Sequence, residues 1–117
     1  MDIAEDKFGK DLGEVLGLQN RLGIHVSKDL TEALRDERAD VAIHTTSSHI
    51  REIEPQISEL AKAGLHIIST SEELAFPFYR HGDFARRIDQ EARNSGVTIL
   101  GTGINPGFVL EIGRAHV

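Results

Sequence analysis

The stretch Ile50-Arg51-Glu52-Ile53-Glu54-Pro55-Gln56-Ile57-Ser58-Glu59-Leu60-Ala61-Lys62-Ala63-Gly64-Leu65-His66-Ile67-Ile68-Ser69 decides the fold class. Ile50, Ile53, Ile57, Leu60 and Ala61 recur at helical period, and the apolar stripe stops at Gly64, a plausible helix terminator. His66-Ile67-Ile68-Ser69 then reads as a short buried strand. An amphipathic helix running straight into an apolar strand is half of a βαβ unit, and the same pattern extends in both directions.

Upstream, residues 23–27 and 39–45 are short runs with β-branched side chains. Between them Asp29-Leu30-Thr31-Glu32-Ala33-Leu34 opens like a capped helix, because Asp29 and Glu32 stand at the spacing of a capping box. Downstream, Phe84, Ala85, Ile88 and Ala92 form a second apolar stripe, Ser95-Gly96 closes it, and residues 97–100 make a further strand. The expected order is βαβαβαβ. Alternation of this kind implies a parallel sheet, since parallel neighbours need a crossover and a helix fills it. Residues 7–22 contain Gly9, Gly13 and Gly17 among leucines, which predicts a weak helix followed by a loop.

Composition narrows the function. The 117 residues make one modest domain; 13 Lys and Arg against 19 Asp and Glu give a net charge of −6, which argues against nucleic acid as a partner. No apolar run approaches the roughly 20 residues that span a bilayer, and Met1-Asp2-Ile3-Ala4-Glu5-Asp6 lacks the blocks of a signal peptide, so a cytoplasmic protein without a membrane partner is expected. With no cysteine, any chemistry must use oxygen and nitrogen groups. His44, His49, His66 and His81 fall in different elements without metal-ligand spacing, so no metal site is expected. His44 and His66 read as hydrogen-bonded sheet residues, and His49 is the one that sits in a candidate ligand loop.

In open parallel sheets ligands bind beyond the carboxyl ends of the strands. Three segments leave those ends: Thr45-Thr46-Ser47-Ser48-His49, then Thr70-Ser71-Glu72-Glu73-Leu74-Ala75-Phe76-Pro77, then Gly101-Thr102-Gly103-Ile104-Asn105-Pro106-Gly107. All are rich in hydroxyls, carboxylates or glycine. Gly101, Gly103 and Gly107 are spaced one residue longer than a dinucleotide fingerprint, so they serve either a pyrophosphate or a tight turn with Pro106 opening a helix. Thr70 and Glu73 repeat the capping-box spacing; Glu73 is either a cap or a proton-exchanging carboxylate, spacing alone favours the cap, and Glu72 is then the freer acid. Thr45, Thr46, Ser47 and Ser48 can cap the following helix or hold a cofactor's amide and phosphates. Phe76, Phe78 and Tyr79 form an aromatic patch that either packs or walls a substrate pocket.

Taken in order, the three segments, with Asp40-Val41-Ala42-Ile43-His44 before the first and Phe108-Val109-Leu110 after the last, resemble the 2,4-diaminopentanoate dehydrogenase and native amine dehydrogenase family. More distantly they are similar to the N-terminal domain of dihydrodipicolinate reductase. The resemblance covers residues 1 to about 110 and implies an α/β, partial Rossmann-type parallel sheet with flanking helices, lacking the first strand and its Gly-rich turn. It implies NAD or NADP as cofactor, a small-molecule amine or imine substrate, a homo-oligomeric parent, and oxidative deamination: hydride leaves the amine-bearing carbon and water hydrolyses the imine. On this resemblance Glu72 or Glu73 handles the ammonium proton. Asp2, Thr45, Thr46, Ser47, Ser48, Gly101, Gly103, Asn105, Pro106 and Gly107 would lie against the cofactor, with Asp2 on the adenosine ribose.

Residues 111–117, Glu-Ile-Gly-Arg-Ala-His-Val, depart from the family and resemble a translated adapter, so the chain is expected to be a fragment clipped at both ends and inactive alone. Loss of the central strands predicts that residues 23–27 either slide across to pair with residues 39–45 or leave that strand with an open edge. The alternative functions are an imine reductase and a nucleotide-binding module without chemistry.

Overall fold

A computed structural model describes residues 4–35 and 38–108, which divide into two compact units on either side of residue 39. In the first unit a short 3-10 turn, Glu5–Lys7, precedes the one-turn helices α1, Leu12–Val15, and α2, Leu30–Ala33. The second unit holds the strands β1, Val41–His44, β2, His66–Ser69, and β3, Ile99–Gly101. They alternate with α3, Ile50–Lys62, and α4, Gly82–Ser95, and a 3-10 turn at Glu72–Leu74 follows β2.

The strands pair in parallel in the order β1-β2-β3, with Ile43 beside Ile68 and Ile68 beside Leu100. The architecture is thus α/β and partly Rossmann-like. Both long helices bury the stripes read from the sequence: Ile53, Ile57 and Ala61 are fully inaccessible, Ile50 and Leu60 nearly so, and α4 contributes Phe84, Ala85, Ile88 and Ala92. Between the helices Arg87 Nε donates to Glu54 at 3.0 Å and Ser58 Oγ to Glu91 at 3.0 Å. Ile67 fills the core from β2, whereas Val41, Ile43, Ile68 and Leu100 are exposed. Among the described residues no helix is long and apolar enough to cross a membrane.

The strand expected at residues 23–27 is a correction. His25 makes a single antiparallel bridge with Asp11, and the flanking bonds run from Gly9 N to Val26 O and from Val26 N to Lys10 O, each 2.9 Å. The Asp11 carboxylate explains this. It accepts the amides of Gly13, Leu22 and Gly23 at 2.7–2.9 Å, and folds residues 22–26 back onto residues 9–12. Those bonds, the Leu22 amide foremost, hold the Asp11 carboxyl below its usual range against the opposing effect of burial. Among the described residues β1 has β2 as its ladder partner, and residues 23–27 do not pair with it. The helix expected after Asp29 is a single turn: Asp29 accepts the Glu32 amide at 2.8 Å, and the Glu32 carboxylate accepts the Lys28 amide at 3.1 Å.

Burial separates two isoleucines of similar shape. Ile57→Ala should lower stability by about 2–5 kcal/mol in urea denaturation, while Ile43→Ala, at a side chain 67% exposed, should change it by no more than about 0.5 kcal/mol.

Candidate functional site at the carboxyl edge of the sheet

Parallel pairing puts the carboxyl ends of β1, β2 and β3 on one edge, and hydrogen bonds then join the three loops that leave them. Ser48 supplies the first link: its carbonyl accepts the Glu73 amide at 3.3 Å and the Ser71 hydroxyl at 3.0 Å. Asn105 supplies the second, its Nδ2 donating to Glu72 Oε1 at 3.4 Å. The Thr102 amide also donates to the Ser69 carbonyl at 2.9 Å. Ser47, Ser48, Glu72, Glu73 and Asn105 therefore lie along a single rim.

Glu73 closes neither a capping box with Thr70 nor a bond to its own turn. Its Oε2 accepts the Ile50 amide at 2.8 Å, so it caps α3 from across the rim. Sequence spacing pointed to a local cap because it carries no information about a partner 23 residues away. His49 Nδ1 stands 3.7 Å from one oxygen of this carboxylate and His81 Nε2 3.6 Å from the other. The Ile50 amide holds the Glu73 carboxyl below the usual glutamate range; burial opposes this, and His81 and His49 add to the lowering. Such an acid stays ionised and fixed in place. Glu72 is exposed, and among the described residues its carboxylate meets Asn105 alone.

The hydroxyls after β1 are unequal. Thr45 and Thr46 are exposed, Ser47 and Ser48 half-buried. Ser47 Oγ donates to Glu52 Oε2 at 2.5 Å and accepts the His49 amide at 3.2 Å, while Thr46 Oγ1 donates to Gln56 Oε1 at 2.7 Å. His49 occupies the N-cap of α3 without a side-chain cap bond, so none of the four hydroxyls caps that helix. His44 and His66 are hydrogen-bonded sheet residues as expected, His66 Nδ1 accepting the Thr98 amide at 3.0 Å.

Gly101 sits where β3 presses on the loop after β2. A Cβ there would stand 2.6 Å from the Leu74 carbonyl carbon and oxygen, so close backbone packing accounts for this glycine without a ligand. Gly103 has φ +150°, a conformation that L side chains rarely adopt. Asn105 is extended, at φ −129° and ψ 119°, as a residue before proline prefers, and Pro106 and Gly107 lie in the turn Ile104–Phe108. An apolar cleft of about 440 Å³ runs beside β3, lined by Leu74, Pro77, Phe78, Phe84 and Ile88, and meets the polar rim at Leu74 and Gly101. Phe76 and Phe78 pack with ring centroids 5.9 Å apart, although both are exposed. Asp2 and the tail 111–117 lie outside the described residues. Among the described residues no group of three or more His, Asp or Glu side chains is placed to hold a metal.

The solved structure of an amine dehydrogenase from Mycobacterium smegmatis matches this fold with a TM-score of 0.82 at 32% identity, over 86% of this chain and 30% of that one. The chain resembles part of an amine dehydrogenase. It is also 32% identical over 83 residues to the 2,4-diaminopentanoate dehydrogenase of Acetoanaerobium sticklandii, covering 71% of this chain and 24% of that protein. It thus spans less than a third of the length of these relatives. No family model matches the chain. The likeness to amine dehydrogenases read from the three rim segments is borne out, and so is the partial Rossmann-like architecture.

Two measurements check the rim. Gly101→Ala should cost about 1–3 kcal/mol in urea denaturation, because the new methyl meets backbone that cannot yield. A carboxylate whose pKa is lower folded than unfolded stabilises the fold above its unfolded pKa, and that contribution disappears as pH falls through the lower, folded value. Glu73→Gln should therefore flatten the acid limb of stability against pH, so that the wild-type chain loses denaturation midpoint more steeply on acidification than the variant.

Proposed function

We propose that this chain is part of the NAD(P)-binding domain of an oxidoreductase acting on the C–N bond of a small amine. The convergence of Thr46, Glu72 and Asn105 on one edge of a parallel sheet carries this reading, and the likeness to two amine-oxidising relatives supports it. The candidate residues fit a nicotinamide nucleotide in kind: exposed hydroxyls, a positive-φ glycine and an amide side chain beyond the strand ends, where such cofactors bind. The bound nucleotide supplies a hydride acceptor.

The protein's own residues divide the remaining work. Hydride leaves readily only from a neutral amine, so a base must first take the ammonium proton. Glu72 is the side chain for that task, being an exposed carboxylate held by one amide contact. Glu73 is bound to the Ile50 amide and flanked by two histidines, and keeps the loop that carries Glu72 against the start of α3. The cleft walled by Pro77 and Phe78 suits the carbon chain of an amine. The substrate is a small amine, the relative named for 2,4-diaminopentanoate being one model for it, and the complete protein works as a homo-oligomer in the cytoplasm.

Calorimetric titration of this chain with NAD and NADP tests the cofactor assignment. In a polypeptide extended to the length of the relatives, Glu72→Gln should lower kcat/KM for amine-dependent NAD(P)H formation by about 10²- to 10⁴-fold, with cofactor affinity little changed. An equal loss with Glu73→Gln in a stably folded variant, and none with Glu72→Gln, would exchange the two roles. Cofactor binding without any amine-dependent turnover would favour a nucleotide-binding module.

A further inference from the structure

A buried hydrogen-bonded chain runs inward from the rim and fixes where its protons lie. His44 is 5% exposed and Ser69 fully buried. Ser69 Oγ lies 2.9 Å from His44 Nδ1 and accepts the Ser71 amide at 3.2 Å, which leaves its own hydrogen free to donate to that nitrogen. On the other side of the ring, His44 Nε2 is 2.9 Å from Gln56 Oε1 and 2.9 Å from Thr46 Oγ1. Gln56 Nε2 faces the Glu52 carbonyl at 3.4 Å, an oxygen that can only accept, which orients the amide with Oε1 toward the histidine. Oε1 is a pure acceptor, so Nε2 must carry the ring hydrogen and Thr46 must donate its own hydrogen to the same Oε1. Thr46 is left with lone pairs alone to present at the exposed rim.

Its surroundings point the same way. The Ser47 hydrogen is spent on Glu52, and the Ile50 amide, the first free donor of α3, is taken by the Glu73 carboxylate. An internal anion thus already occupies the helix start where a phosphate would otherwise be drawn. Glu52, Glu72 and Glu73 add negative charge around the loop.

We propose that His44 is a positioning residue which, as the Nε2–H tautomer, turns Thr46 into a hydrogen-bond acceptor, so that this part of the rim takes a donor-bearing, non-phosphate group such as a carboxamide and rejects a pyrophosphate. The assignment rests on the cofactor-domain reading above for the identity of its ligand, while the tautomer is a property of the chain by itself.

Long-range ¹H–¹⁵N correlation spectra of the ¹⁵N-labelled chain at neutral pH read the tautomer directly. A protonated Nε2 and an unprotonated Nδ1 on His44 are expected, and Gln56→Leu, which removes the acceptor facing Nε2, should shift the ring toward the other tautomer. An Nδ1–H ring in the unsubstituted chain overturns the proposal. Titrations with nicotinamide riboside and with inorganic pyrophosphate then separate the ligand chemistries at the Thr46 methyl. Saturable shifts with the riboside alone are expected, weakened about three- to tenfold by the isosteric Thr46→Val. Saturable shifts with pyrophosphate overturn the acceptor assignment and leave the cofactor reading standing. A correct tautomer with no response to either probe overturns the carboxamide subsite and counts against the cofactor reading as well.

Discussion

Parallel pairing is the constraint on which everything else in the second unit depends. Two parallel neighbours cannot be joined by a tight turn, so each of α3 and α4 must carry the chain back to the start of the next strand. Every strand then ends on the same edge. The residues after β1, β2 and β3 are brought together by topology before any specific contact is made, and the bonds from Glu73 and Ser71 to Ser48, and from Asn105 to Glu72, join loops already placed side by side. The same constraint explains why helix burial matters to the site: the stripe through Ile53 and Ile57 holds α3 against the sheet, and with it Ile50, Glu52 and Gln56 where they meet the rim.

The long helices and three strands were legible in the sequence because their signal is periodic and their cores are apolar. The stripe on α3 was strong enough to be read through Pro55, which removes an intrahelical donor and costs an isolated helix about 3 kcal/mol; burial of five residues on one face overrides it. Residues 23–27 show the limit of this kind of reading. Their β-branched side chains predicted a strand, but a strand requires a partner, and the local competitor was a carboxylate at Asp11 whose reach across 11 and 12 residues has no counterpart in hydrophobic periodicity. An aspartate one residue before Leu12-Gly13 was the available signal, as the N-cap of α1.

The rim was legible as a set of residues and illegible as a set of bonds. That Thr45 to Ser48, Glu72 and Asn105 share an edge follows from strand order. Which hydroxyl donates to which acceptor does not, because hydrogen direction depends on a closed circuit of partners drawn from β1, α3 and β2. His44 was expected to be a hydrogen-bonded sheet residue, and it is one. Its consequence for Thr46 depends on Gln56, 12 residues from His44 in sequence and unremarkable there, but adjacent in space because α3 returns along the sheet.

Two neighbouring acids thus acquire different chemistry from their partners alone. Glu73 meets a backbone amide and two imidazoles, all of which favour its ionised form, and its oxygens are committed to holding loops together. A group so stabilised as an anion is a weak base, since every interaction that lowers its pKa must be given up when it takes a proton. Glu72 is exposed and, among the described residues, meets only the neutral amide of Asn105. The division of labour places the structural anion at the start of α3 and leaves the exposed one beside Asn105 on the rim.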